Sequence, residues 1–364
     1  MRKYDENLVS QIKAKEYIKS VDGIDILMKP VPDDERERVL DPRVLEIVKQ
    51  KKTMFAKRSQ KGFRLSQERY RPDKVTYDLT TVDIDIEERL IPINNDHMID
   101  IYIYQRTDDE GLRPAMIYLH GGGWTAGDMR LYANQMKYIA ELSHAVVIFP
   151  EYRLAPECPY PGPIDDAKGT IEYVVNHAKE LRIDVDRLMV AGDSAGGGLT
   201  NSCLILDQKH DIKKAFEIYP AVDSRNYLEQ KSYTWSYDAY PVIPEQEEYA
   251  KSRIDRIRKN MCGSEQDSLY LQGKTSFDNP VVSIVCASDE QLKELPPVVV
   301  VASEYDFLRV SSDYFVKRLT ELGKDVKSIR YLGCDHGFFD MLGTVVQAED
   351  LCHLIAEEIK SMEL

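Results

Sequence analysis

Six short apolar runs, AMIYL, AVVIFP, RLMVAG, KAFEIYP, PPVVVVA and VKSIRYL, recur along the chain from residue 115, with helix-length segments between most of them. A strand packed on one face alternates apolar and polar residues, whereas a strand covered by helices on both faces reads as a continuous apolar run. Such runs alternating with helices at about 130–143, 164–180, 195–209, 310–322 and 345–361 predict an α/β fold around a mostly parallel sheet. Upstream, VDIDIEERLIPI and MIDIYIYQR do alternate, and a short Asn-Asn-Asp turn separates them, so they predict a half-buried antiparallel pair.

Two regions break this rhythm. Residues 1–75 are charged and helix-like, with breaks at Pro30, Pro32 and Pro42 and no clear strand alternation, and they read as an appendage to a core at 76–364. About 70 residues separate the strands YPAVD and PPVVVVA, too many for a structureless loop in a compact domain. That stretch, at about 222–285, carries Tyr227, Tyr233, Trp235, Tyr237, Tyr240 and Tyr249 and is expected to be an inserted helical cap.

Composition excludes several classes. With 43% hydrophobic and 30% charged residues, the 364-residue chain is an ordinary globular protein. Its net charge of −14 weighs against a nucleic-acid partner, which needs clustered Lys and Arg. The one basic concentration, Lys49 to Arg64, reads as a solvated helix face. No apolar run approaches the roughly 20 residues of a membrane span, and the first residues lack a secretory pattern, so a cytoplasmic location is expected. Six scattered cysteines with no metal-like spacing predict reduced thiols, and no metal or cofactor is expected.

The chemistry concentrates at strand ends. In RLMVAGDSAGGGL, Gly192 and Gly196 flank Ser194 in a G-x-S-x-G pattern where a strand stops and a helix starts. A nucleophile held in that sharp turn needs residues without bulk two positions away on either side. Serine needs a base, usually a histidine oriented by a carboxylate. His336 follows the last strand run and is the candidate base. His144, His177, His210 and His353 fall on or beside helices, and His97 lies in the early turn. Asp306, after PPVVVVASEY, is the candidate acid, with Glu304 as a nearby substitute; Asp335 adjoins His336 and is set aside, because adjacent side chains rarely face each other. The order Ser194, Asp306, His336 is that of an α/β-hydrolase.

Three consecutive glycines, Gly121 to Gly123, follow the first strand run and His120. Bare backbone there lets N–H groups approach a developing oxyanion, so Gly122 and Gly123, with the Ala195 N–H, form the candidate oxyanion hole. His120 is expected to brace this loop.

Together HGGGW, YRLAPE at 152–157, GDSAGG at 192–197, EYDFLR and DHGF resemble the hormone-sensitive-lipase-like esterases, from about Asp83 to the C-terminus. The resemblance implies an α/β-hydrolase fold, hydrolysis of short-acyl carboxylic esters without a cofactor, a cap built from the N-terminal arm and the insertion, and frequent pairing as dimers. One departure is Phe307, where the family often has proline after the acid. The same triad cleaves amides or peptides in other proteins of this fold, and silent ligand-binding relatives characteristically lose the histidine that is present here. A base must be neutral to act, so activity is expected to rise with pH through roughly 6–7, the ordinary histidine range. Trp124 and Asp193 are candidate substrate contacts; Trp124 either walls the acyl side or packs beneath the loop. The acidic surface is expected to disfavour anionic substrates mildly, although bulk charge does not describe a pocket.

Overall fold

The structure, a computed structural model, describes residues 1–58, 64–71, 74–261 and 265–362. Helix α1 (Asn7–Lys15) leads into a hairpin of β1 (Tyr17–Val21) and β2 (Ile24–Lys29), then α2 (Pro42–Arg58) and the short α3 (Leu65–Arg69). Strands β3 (Ile84–Ile93), β4 (His97–Arg106) and β5 (Arg113–Leu119) follow. Helix α4 (Met129–Ser143) joins β5 to β6 (Val146–Pro150), and α5 (Gly162–Asn176) with α6 (Ala178–Leu181) leads to β7 (Ile183–Asp193). Helix α7 (Ala195–Leu206) precedes β8 (Lys214–Ile218). A long excursion carrying α8 (Glu247–Arg258), α9 (Glu265–Leu271) and α10 (Asp289–Lys293) reaches β9 (Val298–Tyr305). Last come α11 (Arg309–Glu321), β10 (Val326–Asp335) and α12 (Val346–Lys360).

The strands form one ten-stranded sheet in the order β1-β2-β10-β9-β8-β7-β5-β6-β4-β3. From β10 across to β6 every neighbour is parallel, and β4 and β3 extend the sheet antiparallel. Every residue of β5 and β6 is buried, as continuous apolar runs require of a doubly covered sheet. Helix α4 shows how the covering works. Asp128 caps it by accepting the Arg130 N–H at 2.9 Å, and its buried stripe of Tyr132, Gln135, Met136, Ile139, Ala140 and Ser143 follows the helical repeat. Helix α7 is buried from Ala195 through Leu204. Its small residues allow that depth: a Cβ on Gly197 would stand 2.7 Å from the Pro220 side chain.

The N-terminal region departs from the helical reading. Although α1 and α2 are helices, residues 17–29 form a hairpin whose β2 pairs parallel with β10, register Ser328 with Ile26. Ile24, Ile26 and Met28 are buried there. The signal was hidden because β2 is short and its partner lies about 300 residues away, so local pattern carried little of the pairing energy.

The 222–285 insertion contains 3₁₀ turns at 237–239, 244–246 and 284–286 together with α8 and α9. Helix α8 packs on α2 and on β9 and β10, so the N-terminal arm and the insertion touch. Most of the basic stretch from Lys49 to Arg64 lies outside the residues whose side chains are described, as does Cys262. Cys158, Cys203, Cys286, Cys334 and Cys352 are free thiols. Among the described residues, no helix is long and apolar enough to cross a membrane.

Candidate active site

Parallel α/β sheets expose reactive groups at the carboxyl ends of their strands. Ser194 is the single residue between β7 and α7, with φ +54° and ψ −116°, a conformation that side-chain-bearing residues rarely hold. Neighbouring backbone secures it. The Ser194 N–H donates to the Ile218 carbonyl at 2.9 Å, and its carbonyl accepts from Ala221 at 2.9 Å and Gly198 at 3.1 Å. Gly192 and Gly196 are required by close approach, since a Cβ on either would overlap backbone, including the Leu119 carbonyl.

Asp306 is the first residue after β9, and His336 the first after β10. The Asp306 carboxylate lies 2.7 Å from His336 Nδ1, and His336 Nε2 lies 2.9 Å from Ser194 Oγ. Asp306 is fully buried and also accepts the Leu308 N–H at 3.0 Å, which fixes its carboxylate plane. The structure therefore joins three residues that are 112 and 30 positions apart in sequence into one hydrogen-bonded chain. The two other acids are occupied elsewhere. Glu304 accepts the Gly333 N–H at 2.8 Å, and Asp335 pairs with Arg253 of α8 at 2.5 Å.

The glycine loop lies directly on this elbow. Gly122 has φ +139° and Gly123 φ +63°, and a Cβ on Gly122 would overlap the Ala126 carbonyl. His120 is fully buried, stacked on Tyr152 with ring centroids 4.2 Å apart, and its Nδ1 lies 2.9 Å from the Gly121 carbonyl. Burial pushes its pKa down to about 4, so it is neutral at pH 7 and braces the loop. Tyr152, in the YRLAPE segment, donates its hydroxyl to the His120 carbonyl at 2.6 Å, and Ala155 donates to the Trp124 carbonyl at 2.9 Å.

Asp193 needs correction as a substrate contact, and of the two alternatives for Trp124 the structure has the packed one. Asp193 is buried, and its carboxyl accepts from Gly121 N–H at 2.7 Å, Tyr118 hydroxyl at 2.9 Å and Tyr132 hydroxyl at 3.1 Å. It ties the elbow to the glycine loop. Burial, reinforced by the Asp340 charge, raises its pKa to about 7. Trp124 is 3% exposed and stacks on Tyr270 of α9 at 4.4 Å, so it packs beneath the loop against the insertion.

Several residues around the triad carried no signal in the sequence. The Tyr219 ring, at φ +36°, lies 4.7 Å from the His336 ring. Arg256 of α8 donates to the His336 carbonyl at 2.8 Å, and Lys74 pairs with Asp340 at 2.7 Å. Arg69 of α3 donates to the Thr125 carbonyl at 2.8 Å. All come from segments outside the motifs, and only folding brings them to the site. Among the described residues, no group of three or more His, Cys, Asp or Glu is placed to hold a metal ion.

A buried Ser-His-Asp chain at the strand ends of a parallel sheet defines a serine hydrolase site. A family model described as the alpha/beta hydrolase fold matches residues 116–340. The chain belongs to the α/β-hydrolase family, in the hormone-sensitive-lipase-like group its motifs resemble. It is 28% identical over 273 residues to the esterase LipI of Mycobacterium tuberculosis, covering 75% of this chain and 79% of that one. It is 27% identical over 252 residues to an arylesterase of Saccharolobus solfataricus, covering 67% and 74%. Among solved structures, the thermophilic carboxylesterase EstE1 from a metagenomic library aligns with a TM-score of 0.67 and 26% identity, over 82% of this chain and 95% of that one.

Proposed function

We propose that this protein is a carboxylic ester hydrolase acting on short-chain acyl esters through a Ser194-His336-Asp306 triad. The observation that carries the reading is the continuous hydrogen-bonded chain from Asp306 through His336 to Ser194 Oγ.

His336 Nε2 takes the Ser194 proton as Oγ bonds to the ester carbonyl carbon. The carbonyl oxygen becomes an anion facing the N–H groups of Gly122, Gly123 and Ala195, the donors we assign to the hole. As the tetrahedral species collapses, the bond to the alcohol oxygen breaks, and His336 passes its proton to that oxygen. Water then attacks the acyl-enzyme, gives its proton to His336, and the acid leaves as Ser194 regains its hydrogen. Asp306 holds Nδ1 protonated and stabilises the imidazolium throughout. The N-terminal arm and the 222–285 insertion form the cap over this site. Its scattered free thiols fit a reducing, cytoplasmic setting.

Hydrolysis of p-nitrophenyl esters from acetate to decanoate, by wild type and Ser194→Ala, tests this. A rate that peaks at short chains and vanishes in the variant is expected. Folded wild type that hydrolyses none of them and resists an organophosphonate would overturn the reading; labelling without ester turnover would redirect it to amides.

A further inference from the structure

The three triad residues are held by different parts of the molecule. Ser194 is fixed by backbone hydrogen bonds with Ile218, Ala221 and Gly198, and Asp306 by the N–H groups of Leu308 and Arg309, at 3.0 and 3.2 Å. His336 has less support from its own strand. Pairing of β10 with β9 is regular from Val326 to Tyr331, and the register shifts before Asp335. Two glycines with left-handed backbone, Gly333 at φ +73° and Gly337 at φ +83°, bracket the histidine. Glycine has the widest choice of backbone conformation, so the local chain does little to fix the direction in which the imidazole leaves it.

Segments outside the sheet supply the missing restraint. Helix α8 of the insertion presents Arg253 and Arg256, three residues apart and so on one helix face, to residues 335 and 336. Arg253 Nε donates to the Asp335 carboxylate at 2.5 Å, with the two residues only 8% and 7% exposed, and Arg256 Nη2 donates to the His336 carbonyl at 2.8 Å. Burial by itself would raise the Asp335 pKa, yet the Arg253 and Arg256 charges hold it below the ordinary carboxylate value, so Asp335 meets Arg253 as an ion. On the far side, Lys74 of the N-terminal arm lies 3.5 Å from the Gly337 carbonyl and pairs with Asp340 at 2.7 Å. Asp335, His336 and Gly337 are thus gripped in turn by cations from the insertion and the arm.

We propose that Arg253 and Arg256 are positioning residues for His336: α8 sets the histidine main chain so that Nε2 meets Ser194 Oγ, and the base is in register only while the insertion is seated. Hydrogen bonds to charged groups are short and strong, and a general base must stand within hydrogen-bond reach of the proton it takes. The inference rests on the ester-hydrolase reading above and assigns to its mechanism two residues that act through the histidine.

The test measures kcat and KM for p-nitrophenyl acetate in wild type, Arg256→Met, Arg256→Lys and Arg253→Lys, with acylation and deacylation resolved by stopped flow. Arg256→Met is expected to lower kcat by on the order of 10- to 10²-fold with little change in KM, the scale of a misplacement of up to about 1 Å. Because His336 serves both half-reactions, acylation and deacylation should slow by the same factor. Arg256→Lys keeps a donor on a flexible stem and should recover part of the rate. Arg253→Lys keeps the charge opposite Asp335 but loses the planar fork, and should show a smaller loss. The far-downfield proton resonance of the Asp306–His336 hydrogen bond should shift or broaden in Arg256→Met with no substrate present.

A folded Arg256→Met with wild-type kcat, a loss confined to acylation, or a proton resonance left in place would overturn the proposal; the second would make Arg256 a contact to the alcohol. Should Arg256→Met fail to fold, Arg256→Lys and Arg253→Lys carry the same readouts, and wild-type kcat and resonance in both would overturn it. If folded wild type neither turns over the ester nor reacts with an organophosphonate, the esterase reading fails, while the proton resonance still tests whether α8 sets His336.

Discussion

The Asp193 carboxyl accepts the Gly121 N–H at 2.7 Å, and through that bond the turn carrying Ser194 sets the position of the glycine loop. Tyr118 and Tyr132 donate to the same carboxyl, so three separate segments are fixed relative to the nucleophile by one buried side chain. Asp193→Ala should lower kcat by on the order of 10²-fold with a smaller change in KM, the cost of displacing donors by a fraction of an ångström. Asp193→Asn keeps the carbonyl oxygen that Gly121 and Tyr118 use and should recover part of the rate. Steady-state kinetics on p-nitrophenyl acetate, with circular dichroism to verify folding, would check the pair; equal losses in both variants would argue against a positioning role.

Asp306 accepts the His336 Nδ1 proton at 2.7 Å and turns its other oxygen to the Leu308 N–H. Asp306→Asn leaves the volume unchanged but replaces one acceptor by a donor, favouring the wrong imidazole tautomer. The expected loss is on the order of 10³–10⁴-fold in kcat. A variant within tenfold of wild type would transfer the role of acid to another carboxylate.

Phe307 follows the acid immediately, and its buried ring contacts the insertion: Tyr227 at 5.4 Å and Trp235 at 5.3 Å between centroids. Its carbonyl accepts the Tyr240 hydroxyl at 3.2 Å, which in turn accepts the Trp235 N–H at 3.0 Å. The residue that departs from the family's proline thus docks the insertion onto the acid-bearing loop. Phe307→Ala should destabilise the fold by about 3 kcal/mol, the usual cost of emptying a buried phenylalanine site. Urea denaturation monitored by circular dichroism reads this directly, and an unchanged midpoint would show the cluster to be loosely packed.

Glu217 lies on β8, fully buried, with Oε2 accepting from Asn201 at 3.1 Å and Oε1 without a partner among the described residues. Burial pushes its pKa up to about 8, against the pull of the Asn201 hydrogen bond. A carboxyl whose folded pKa lies above its unfolded value contributes most below the unfolded value and loses that contribution as pH rises through the folded one. Stability of the wild type should therefore fall between about pH 5 and pH 8 through this group. Glu217→Gln removes the titration, so the Tm difference, variant minus wild type, should grow more positive from pH 5 to pH 9. A difference that stays flat would mean that Glu217 does not hold its proton in the folded state.

Much of the architecture was legible because it is written in local pattern. Strands β5 through β10 coincide with the continuous apolar runs, and β3 and β4 with the alternating pair, since burial on two faces or one dictates those patterns. Ser194, Asp306 and His336 were legible because strand ends and glycine spacing mark where reactive side chains stand. The β1–β2 hairpin was not, because its stabilisation comes from a strand at the far end of the chain. Asp193 was misread, and the two readings of Trp124 were left open, for a related reason: position beside a reactive residue does not reveal whether a side chain turns toward the pocket or into the core.

The sequence by itself determined strands β3 to β10 of the sheet, the order of the triad and the glycines that bare backbone contact requires, all properties of neighbouring residues and their periodicity. Tertiary structure alone decided that Asp193 braces the glycine loop, that Phe307 seats the insertion, and that Arg256 of α8 reaches the His336 carbonyl. Those relationships depend on distances between groups far apart in sequence, and electrostatic and packing energies act across such distances only once the chain has closed on itself.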